Sequence, residues 1–197
     1  MNLFYIDKDP QKCAEWSVDS HCVKMILEAA QLLSTAHRIL DGKPIIEERT
    51  LASGKVRNHT NYEFPSVNDK RNTLLYKATH INHPCAIWVR TNQNNYAWAW
   101  QYLKEHCDEY THRYGKIHKV EREGLLSKLW YAPKNINKSD SFTPPPNAMD
   151  AKYIISDDTT DNYKNYYVVG KEHLHKWTKR TMPKWMQQYA NMNTWRT

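Results

Sequence analysis

The stretch from Asp19 to Arg38 reads DSHCVKMILEAAQLLSTAHR and predicts one long helix. Asp19 is the expected N-cap, because a short carboxylate can accept a hydrogen bond from an amide of the first turn. Apolar residues recur at helical spacing and indicate the side that faces the core. This stripe contains Val23, Ile26, Ala30, Leu33 and Leu40.

Polar residues form a second stripe at steps of three and four on the same helix. The stripe contains His21, Lys24, Glu28, Gln31, Thr35 and Arg38. An acid and bases on one face are typical of acid–base catalysis when that face borders a cleft. The alternative is a solvated helix face with a Lys24–Glu28 ion pair, since exposed pairs are common and contribute little.

Composition and charge narrow the class of protein. The chain has 197 residues, of which 40% are hydrophobic, enough for one domain with its own core. It carries 28 Lys and Arg against 21 Asp and Glu, a formal charge of +7 that favours a polyanionic partner, nucleic acid first. Glycine occurs only 5 times, which argues against Gly-rich phosphate loops and against a turn-rich β-fold.

The cysteines and the apolar segments indicate a cytoplasmic protein. The four cysteines are spread along the chain without a close Cys-x-x-Cys pair, as in reduced, cytosolic proteins. No signal peptide and no membrane span are predicted. The histidines do not share a helix face in a metal-binding pattern, so we expect no metal and no cofactor.

The remaining pattern predicts an all-α fold. Asp9 and Pro10 open a short helix that runs to Trp16. Residues 45–69 lack a sustained period and predict a loop, with a short hairpin near Ser53 and Gly54. Further helices are expected at 71–79, at 85–114 with a break near 92–95, at 121–130, at 157–167, and at 171–190 with a kink at Pro183.

Basic residues beside aromatic ones suggest contacts to a phosphate backbone. Arg113, Lys116, His118 and Lys119 follow Tyr110 and Tyr114, although a solvated helix end has the same composition. His83, just before Pro84, is either a backbone contact or an ordinary helix cap. Arg57, in the polar run 57–62, and Arg90 complete the candidate nucleic-acid contacts.

Several short motifs occur in the order found in a known enzyme family. Seven positions separate His21 from Glu28, and Asn82-His83-Pro84 opens an aromatic helix. Next come Cys107-Asp108-Glu109 and Arg113-Tyr114-Gly115, then the prolines 144–146 and Tyr166-Tyr167. In these motifs, and along much of its length, the chain resembles the pyrimidine-dimer DNA glycosylases of phage and bacteria, the endonuclease V type.

The resemblance implies a single all-α DNA glycosylase-like domain over residues 1–197. Such a domain binds duplex DNA, bends it and flips a nucleotide. The family uses the α-amine of the mature chain as nucleophile, which displaces the base and forms a Schiff base with the sugar. Glu28 matches the residue that stabilises the sugar cation, with His21 and Lys24 beside it. A phage-encoded monomer in the bacterial cytoplasm, acting in DNA repair or modification, is the implied setting.

Two positions depart from the family pattern and leave other functions open. Asn2 follows Met1 where the family has a small residue, and Leu27 stands where classical phage members have Arg. Lys24 is a second candidate amine. The first hypothesis is therefore a hydrolase-like DNA enzyme acting on a pyrimidine base or its glycosidic bond. The alternatives are a non-catalytic DNA- or RNA-binding protein on the same scaffold and a nucleotide-metabolising enzyme.

Overall fold

Helices dominate the structure, a computed structural model that describes residues 1–194, apart from the side chains of Arg49 and of residues 190–194. The helices are α1 (Pro10–Glu15), α2 (Asp19–Asp41), α3 (Arg71–Leu74), α4 (Pro84–Val89), α5 (Gln93–Tyr114), α6 (Lys119–Arg122), α7 (Leu125–Leu129), α8 (Thr159–Asn165) and α9 (Trp185–Thr194). Two antiparallel strands, β1 (Lys43–Thr50) and β2 (Val56–Glu63), form a small sheet. The fold is therefore mostly helical, and the expectation of an all-α chain needs correction for this hairpin.

The long helix α2 lies in the core and packs along α5 and α4. It begins one residue after Val18, which occupies the N-cap without a side-chain hydrogen bond, so the prediction of Asp19 as N-cap was wrong. The Asp19 carboxylate instead accepts hydrogen bonds from Arg113 and from the backbone and hydroxyl of Thr178. These tertiary contacts occupy the carboxylate, so it does not cap the helix.

The buried and exposed sides of α2 do not coincide with the apolar and polar stripes predicted from the sequence. Ile26, Ala30 and Leu33 are buried as predicted, but Val23 is 41% exposed and Leu27 equally so. Four members of the polar stripe are buried: His21, Glu28, Thr35 and Arg38. The interpretation of this stripe as a solvated face was therefore wrong for most of its length.

Arg38 shows how the buried polar stripe is satisfied. Its guanidinium donates to the carbonyl oxygens of Tyr76, Tyr62, Asn72 and Leu75 at 2.6 to 3.1 Å. These carbonyls belong to β2, to α3 and to the two residues that follow α3. One side chain thus supplies the hydrogen bonds that these segments cannot make within themselves.

The hairpin corrects the prediction of a loop at residues 45–69. Its register pairs Lys43 with Glu63 and Thr50 with Val56, and the turn contains Ser53 and Gly54, as expected. Gly54 has φ of +78°, a conformation that glycine adopts without strain. β2 is largely exposed, apart from Asn61 and the half-buried Tyr62.

Several later helices are shorter than predicted. The predicted helix at 71–79 ends at Leu74, and the one at 121–130 is divided into α6 and α7 by Gly124, whose φ is +80°. The expected helix at 171–190 is mostly irregular, because α9 begins only at Trp185, after Pro183. The break between α4 and α5 was predicted correctly. Within residues 1–194 no helix is long and apolar enough to cross a membrane.

We expect Arg38→Met to lower the free energy of unfolding by about 3–5 kcal/mol, since it leaves several buried carbonyl groups without a donor. Urea denaturation followed by circular dichroism measures this change. Arg122→Met, on the exposed face of α6, is the matched control and should stay within about 0.5 kcal/mol of the parent. A loss below about 1 kcal/mol for Arg38→Met would contradict the role assigned to this side chain.

Candidate functional site around Glu28

Two amines and one backbone amide converge on the carboxylate of Glu28, whose side chain is 11% exposed. Lys24 Nζ lies 3.1 Å from Oε1. The backbone N–H of Asn2 donates to Oε2 at 2.9 Å, and the terminal amine of Met1 lies 3.8 Å from the same oxygen. A mostly buried acid beside two primary amines can support nucleophilic and acid–base chemistry.

The N-terminal segment, residues 1–4, is held over Glu28 by the proline-rich segment, residues 144–148, and by α8. Asn2 Nδ2 donates to the carbonyl of Ala148 at 3.0 Å, and the Tyr163 hydroxyl donates to Asn2 Oδ1 at 2.7 Å. The same hydroxyl lies 2.8 Å from the Pro146 carbonyl and accepts from the Ala148 N–H at 3.3 Å. Residues far apart in the sequence thereby fix the position of residue 2.

The exposed surface of Met1 lies on its backbone. The Met1 side chain is only 3% exposed, although the residue as a whole is partly exposed. The exposed surface therefore belongs to the backbone, which carries the amine. A bulky first residue is accommodated by burial of its side chain.

His21 is an aromatic packing residue in this site. Its ring stacks on Phe4 at 4.1 Å, and Nδ1 lies 2.7 Å from the Tyr167 hydroxyl. Burial lowers the pKa of His21 to about 3, and the charges of Lys171 and Lys24 add to this effect. The ring is therefore neutral at physiological pH. It lies roughly 10 Å from Glu28 along the helix, since each residue advances about 1.5 Å.

His83 has a capping role and also lies within reach of the Glu28 charge. Its Nδ1 accepts from the N–H of Cys85 at 3.2 Å and caps α4. Burial lowers the pKa of His83, the terminal amine and His80 lower it further, and Glu28 acts in the opposite direction. The sequence interpretation of His83 as a helix cap is thus confirmed, and the residue also borders the candidate site.

Arg113 is buried in an ion-pair network and is removed from the surface. It contacts Glu109 at 2.6 Å and Asp19 at 3.0 Å, and it donates to the carbonyl of Glu15. Glu109 also binds Arg180 at 2.8 Å. Arg113 therefore connects α5 to the start of α2 and is not available to a phosphate group.

The other predicted nucleic-acid contacts are dispersed. Lys116, Lys119 and Arg57 are exposed, and Lys119 lies 3.7 Å from Glu123. His118 caps α6 and packs against Tyr110, and Arg90 donates to the carbonyl of Ile81 at 2.8 Å. These residues belong to β2, to the end of α4, and to the segment that runs from the end of α5 into α6.

A row of aromatic rings begins at His21 on α2. The sequence analysis did not predict this row. The ring of Phe4 lies between those of His21 and Tyr166, at 4.1 and 6.1 Å, and Tyr166 packs on Tyr153 at 4.6 Å. The resemblance had marked Tyr166, but its neighbours come from separate parts of the chain. Only the folded structure brings them together.

Two cations cover the outer end of this row. Lys171 Nζ lies 4.8 Å from the centre of the Tyr166 ring, and Lys152 Nζ lies 5.0 Å from that of Tyr153. Helical spacing could not have indicated Lys171, because Tyr166–Gly170 is a π-helical turn that changes the side-chain period. These lysines extend the positive charge around the N-terminal segment.

Comparison with known proteins gives no match to a protein-family model, to a curated protein or to a solved structure. Within the described residues, no group of three His, Cys, Asp or Glu side chains is arranged to hold a metal ion. The candidate site is therefore argued from its own geometry.

Three buried histidines should make the protein lose stability in mild acid. Burial lowers the pKa of His21 to about 3 and those of His37 and His106 to about 4. The ordinary value is about 6.5, so the unfolded chain binds these protons first and stability falls as the pH decreases below about 6.5. Each histidine contributes a slope of up to about 1.4 kcal/mol per pH unit.

The pH dependence of urea denaturation between pH 7 and 5 tests this expectation. His106→Gln should reduce the slope by roughly one third, since one of three such groups is removed. His112→Gln is the control, because His112 is exposed on the same helix. Equal slopes in the parent and in His106→Gln would contradict the assignment.

We expect Tyr163→Phe to release the N-terminal segment without unfolding the protein. The variant loses the hydroxyl that joins Asn2 to the proline-rich segment, at a cost of about 1–2 kcal/mol of stability. The rate of acylation of the terminal amine, followed by mass spectrometry of the N-terminal peptide, should increase. Tyr131→Phe, at a residue that is 69% exposed, should leave that rate unchanged. An unaltered rate in Tyr163→Phe would show that the hydroxyl does not position the amine.

Proposed function

We propose that this protein is an enzyme that flips a pyrimidine nucleotide out of DNA and acts on its base or glycosidic bond. The observation that carries the proposal is the convergence of the terminal amine and Lys24 on the Glu28 carboxylate, at 3.8 and 3.1 Å. The half-buried rings of Tyr153 and Tyr166, with Lys152 and Lys171 beside them, support a nucleic-acid substrate, as does the net charge of +7.

The proposed reaction is nucleophilic displacement at the sugar. The neutral amine nitrogen forms a bond to C1′ while the bond from C1′ to the base breaks, and the base leaves with the bonding electron pair and takes up a proton. Loss of protons from nitrogen and opening of the sugar ring then give an imine. Water hydrolyses this imine, or removal of a proton from C2′ expels the phosphate group at C3′ and cuts the strand.

Glu28 is the proposed electrostatic and acid–base residue. Positive charge develops on the sugar as the base departs, and a fixed carboxylate stabilises that charge where little water competes with it. The same carboxylate can accept protons from the amine and return one to a leaving group. Lys24 and the terminal amine are the two candidate nucleophiles in this scheme.

A non-catalytic nucleic-acid-binding protein is the second candidate function. Two contacts favour it: the Glu28 carboxylate already accepts a hydrogen bond from the backbone of Asn2 and pairs with Lys24. In this case Glu28 only anchors the N-terminal segment. Exposed cations such as Lys24, Lys116 and Arg57 then provide binding to phosphate groups alone.

Borohydride trapping tests the proposal and separates it from the alternative. The protein is mixed with duplexes that carry a pyrimidine dimer, an abasic site, a modified pyrimidine or no lesion, and reductant is added. We expect a covalent adduct on the abasic or lesion duplex, with the attached residue located by peptide mass mapping. Lys24→Met shows whether Lys24 carries the adduct.

Glu28→Gln should slow adduct formation or base release by at least about 100-fold. Its affinity for the duplex should change by less than about threefold, because one buried charge contributes little to non-specific binding. Glu48→Gln, at an exposed carboxylate of the hairpin, is the control and should match the parent.

Other outcomes identify the alternatives. Binding to every duplex without adduct, base release or change in mass would favour the non-catalytic protein. Duplexes that stay unbound at low salt would contradict a DNA substrate and favour the nucleotide-metabolising enzyme.

A further inference from the structure

A cavity on the outer side of α5 has the chemistry of a ligand site that is separate from Glu28. Its volume is about 380 Å³, and it lies between the first turns of α5 and the segment after α7. The lining includes the rings of Tyr96, Trp100 and Trp130 and the carboxamides of Gln93, Asn94 and Gln101. Tyr96 is hydrogen-bonded to His37 on α2, nine positions and roughly 13 Å along the helix from Glu28.

Trp100 and Trp130 form an aromatic wall of the cavity in which one ring is held in place and the other is exposed. Trp100 Nε1 donates to the Leu126 carbonyl at 3.0 Å, which holds its ring in place. Trp130 packs edge-on against Trp100 at 4.4 Å and is 60% exposed. A ligand in the cavity can therefore contact the face of a large aromatic ring without prior rearrangement.

Each of the three carboxamides donates one N–H to a neighbouring acceptor and keeps its side-chain oxygen free. Asn94 Nδ2 donates to the Asp140 carbonyl at 2.7 Å, Gln93 Nε2 to the Asp140 carboxylate at 3.5 Å, and Gln101 Nε2 to Glu105 at 2.5 Å. These partners accept only, so the amide orientations follow from the contacts. Within the described part of the chain, none of the three side-chain oxygens accepts a hydrogen bond.

These features select a cationic ligand. Indole faces attract cations, free amide oxygens accept from N–H donors, and the Asp140 carboxylate, which Gln93 contacts, adds negative potential. Among the described residues that line the cavity none is charged, so a phosphate group would find no counterion there. We propose that this cavity binds an organic cation with N–H donors, with guanidinium as the best fit because it is planar and stacks on aromatic rings.

The binding can be measured on the full-length protein through the indole N–H signals in nitrogen–proton correlation spectra. Methylguanidinium is the probe, and methylurea is its neutral isostere. The Trp130 signal is assigned by its absence in Trp130→Phe. We expect this signal to shift saturably with methylguanidinium and not with methylurea. An equal response to both compounds, or none that saturates, would overturn the proposal. So would saturable binding of cytidine without binding of methylguanidinium.

Two substitutions at one exposed position test the role of charge without touching the rings. Ala97 lines the cavity on the exposed face of α5. Ala97→Lys should weaken methylguanidinium binding at least tenfold, and Ala97→Gln, of similar length, should weaken it less than threefold. Similar affinities in the two variants would overturn the proposal.

The tripeptides Gly-Arg-Gly and Gly-Gln-Gly, both acetylated at the N-terminus and amidated at the C-terminus, distinguish the sources of the cation. Tighter binding of Gly-Arg-Gly than of methylguanidinium supports the arginine side chain of a partner protein as ligand. Equal or weaker binding supports a free small cation. Binding of Gly-Gln-Gly as tight as that of Gly-Arg-Gly would overturn the requirement for charge.

Discussion

Helix α2 can lie in the middle of the molecule only because its buried charged side chains find partners outside the helix. A buried charge without partners costs more than the apolar contacts of one helix turn provide. Arg38 meets this constraint with four backbone carbonyls, and Glu28 meets it with a backbone N–H and two amines. The segments that supply these carbonyl and N–H groups are positioned against α2 by these contacts.

The same constraint explains where the N-terminal segment lies. Phe4 stacks on His21, and Asn2 reaches Glu28, so residues 2–4 follow α2 over two turns. The proline-rich segment then closes over Asn2 through Ala148 and Tyr163. Burial of one carboxylate thereby determines the positions of the first residues and of a segment nearly 150 residues away.

Local signals were sufficient for some of the helix ends. Asp9 and Pro10 start α1, Gly115 with φ of +65° ends α5, and the break between α4 and α5 follows from the composition near Asn92. The hairpin was only partly predicted, because its strands are mostly exposed and carry no alternating apolar pattern. The irregular region before α9 depends on tertiary contacts such as Thr178 with Asp19, which no local pattern encodes.

The candidate site was predicted in part for the same reason. The i, i+4 spacing gave the Lys24–Glu28 pair, which the structure contains. Arg113 had the sequence surroundings of a surface cation, yet it is buried, because Glu109 and Asp19 approach it from different helices.

Within the proposed reaction the two amines differ. Lys24 at 3.1 Å is the closer charge partner of Glu28, whereas the terminal amine at 3.8 Å shares its oxygen with the Asn2 amide. Glu28 therefore keeps its partners when the terminal amine moves toward a sugar, which makes that amine the better candidate nucleophile.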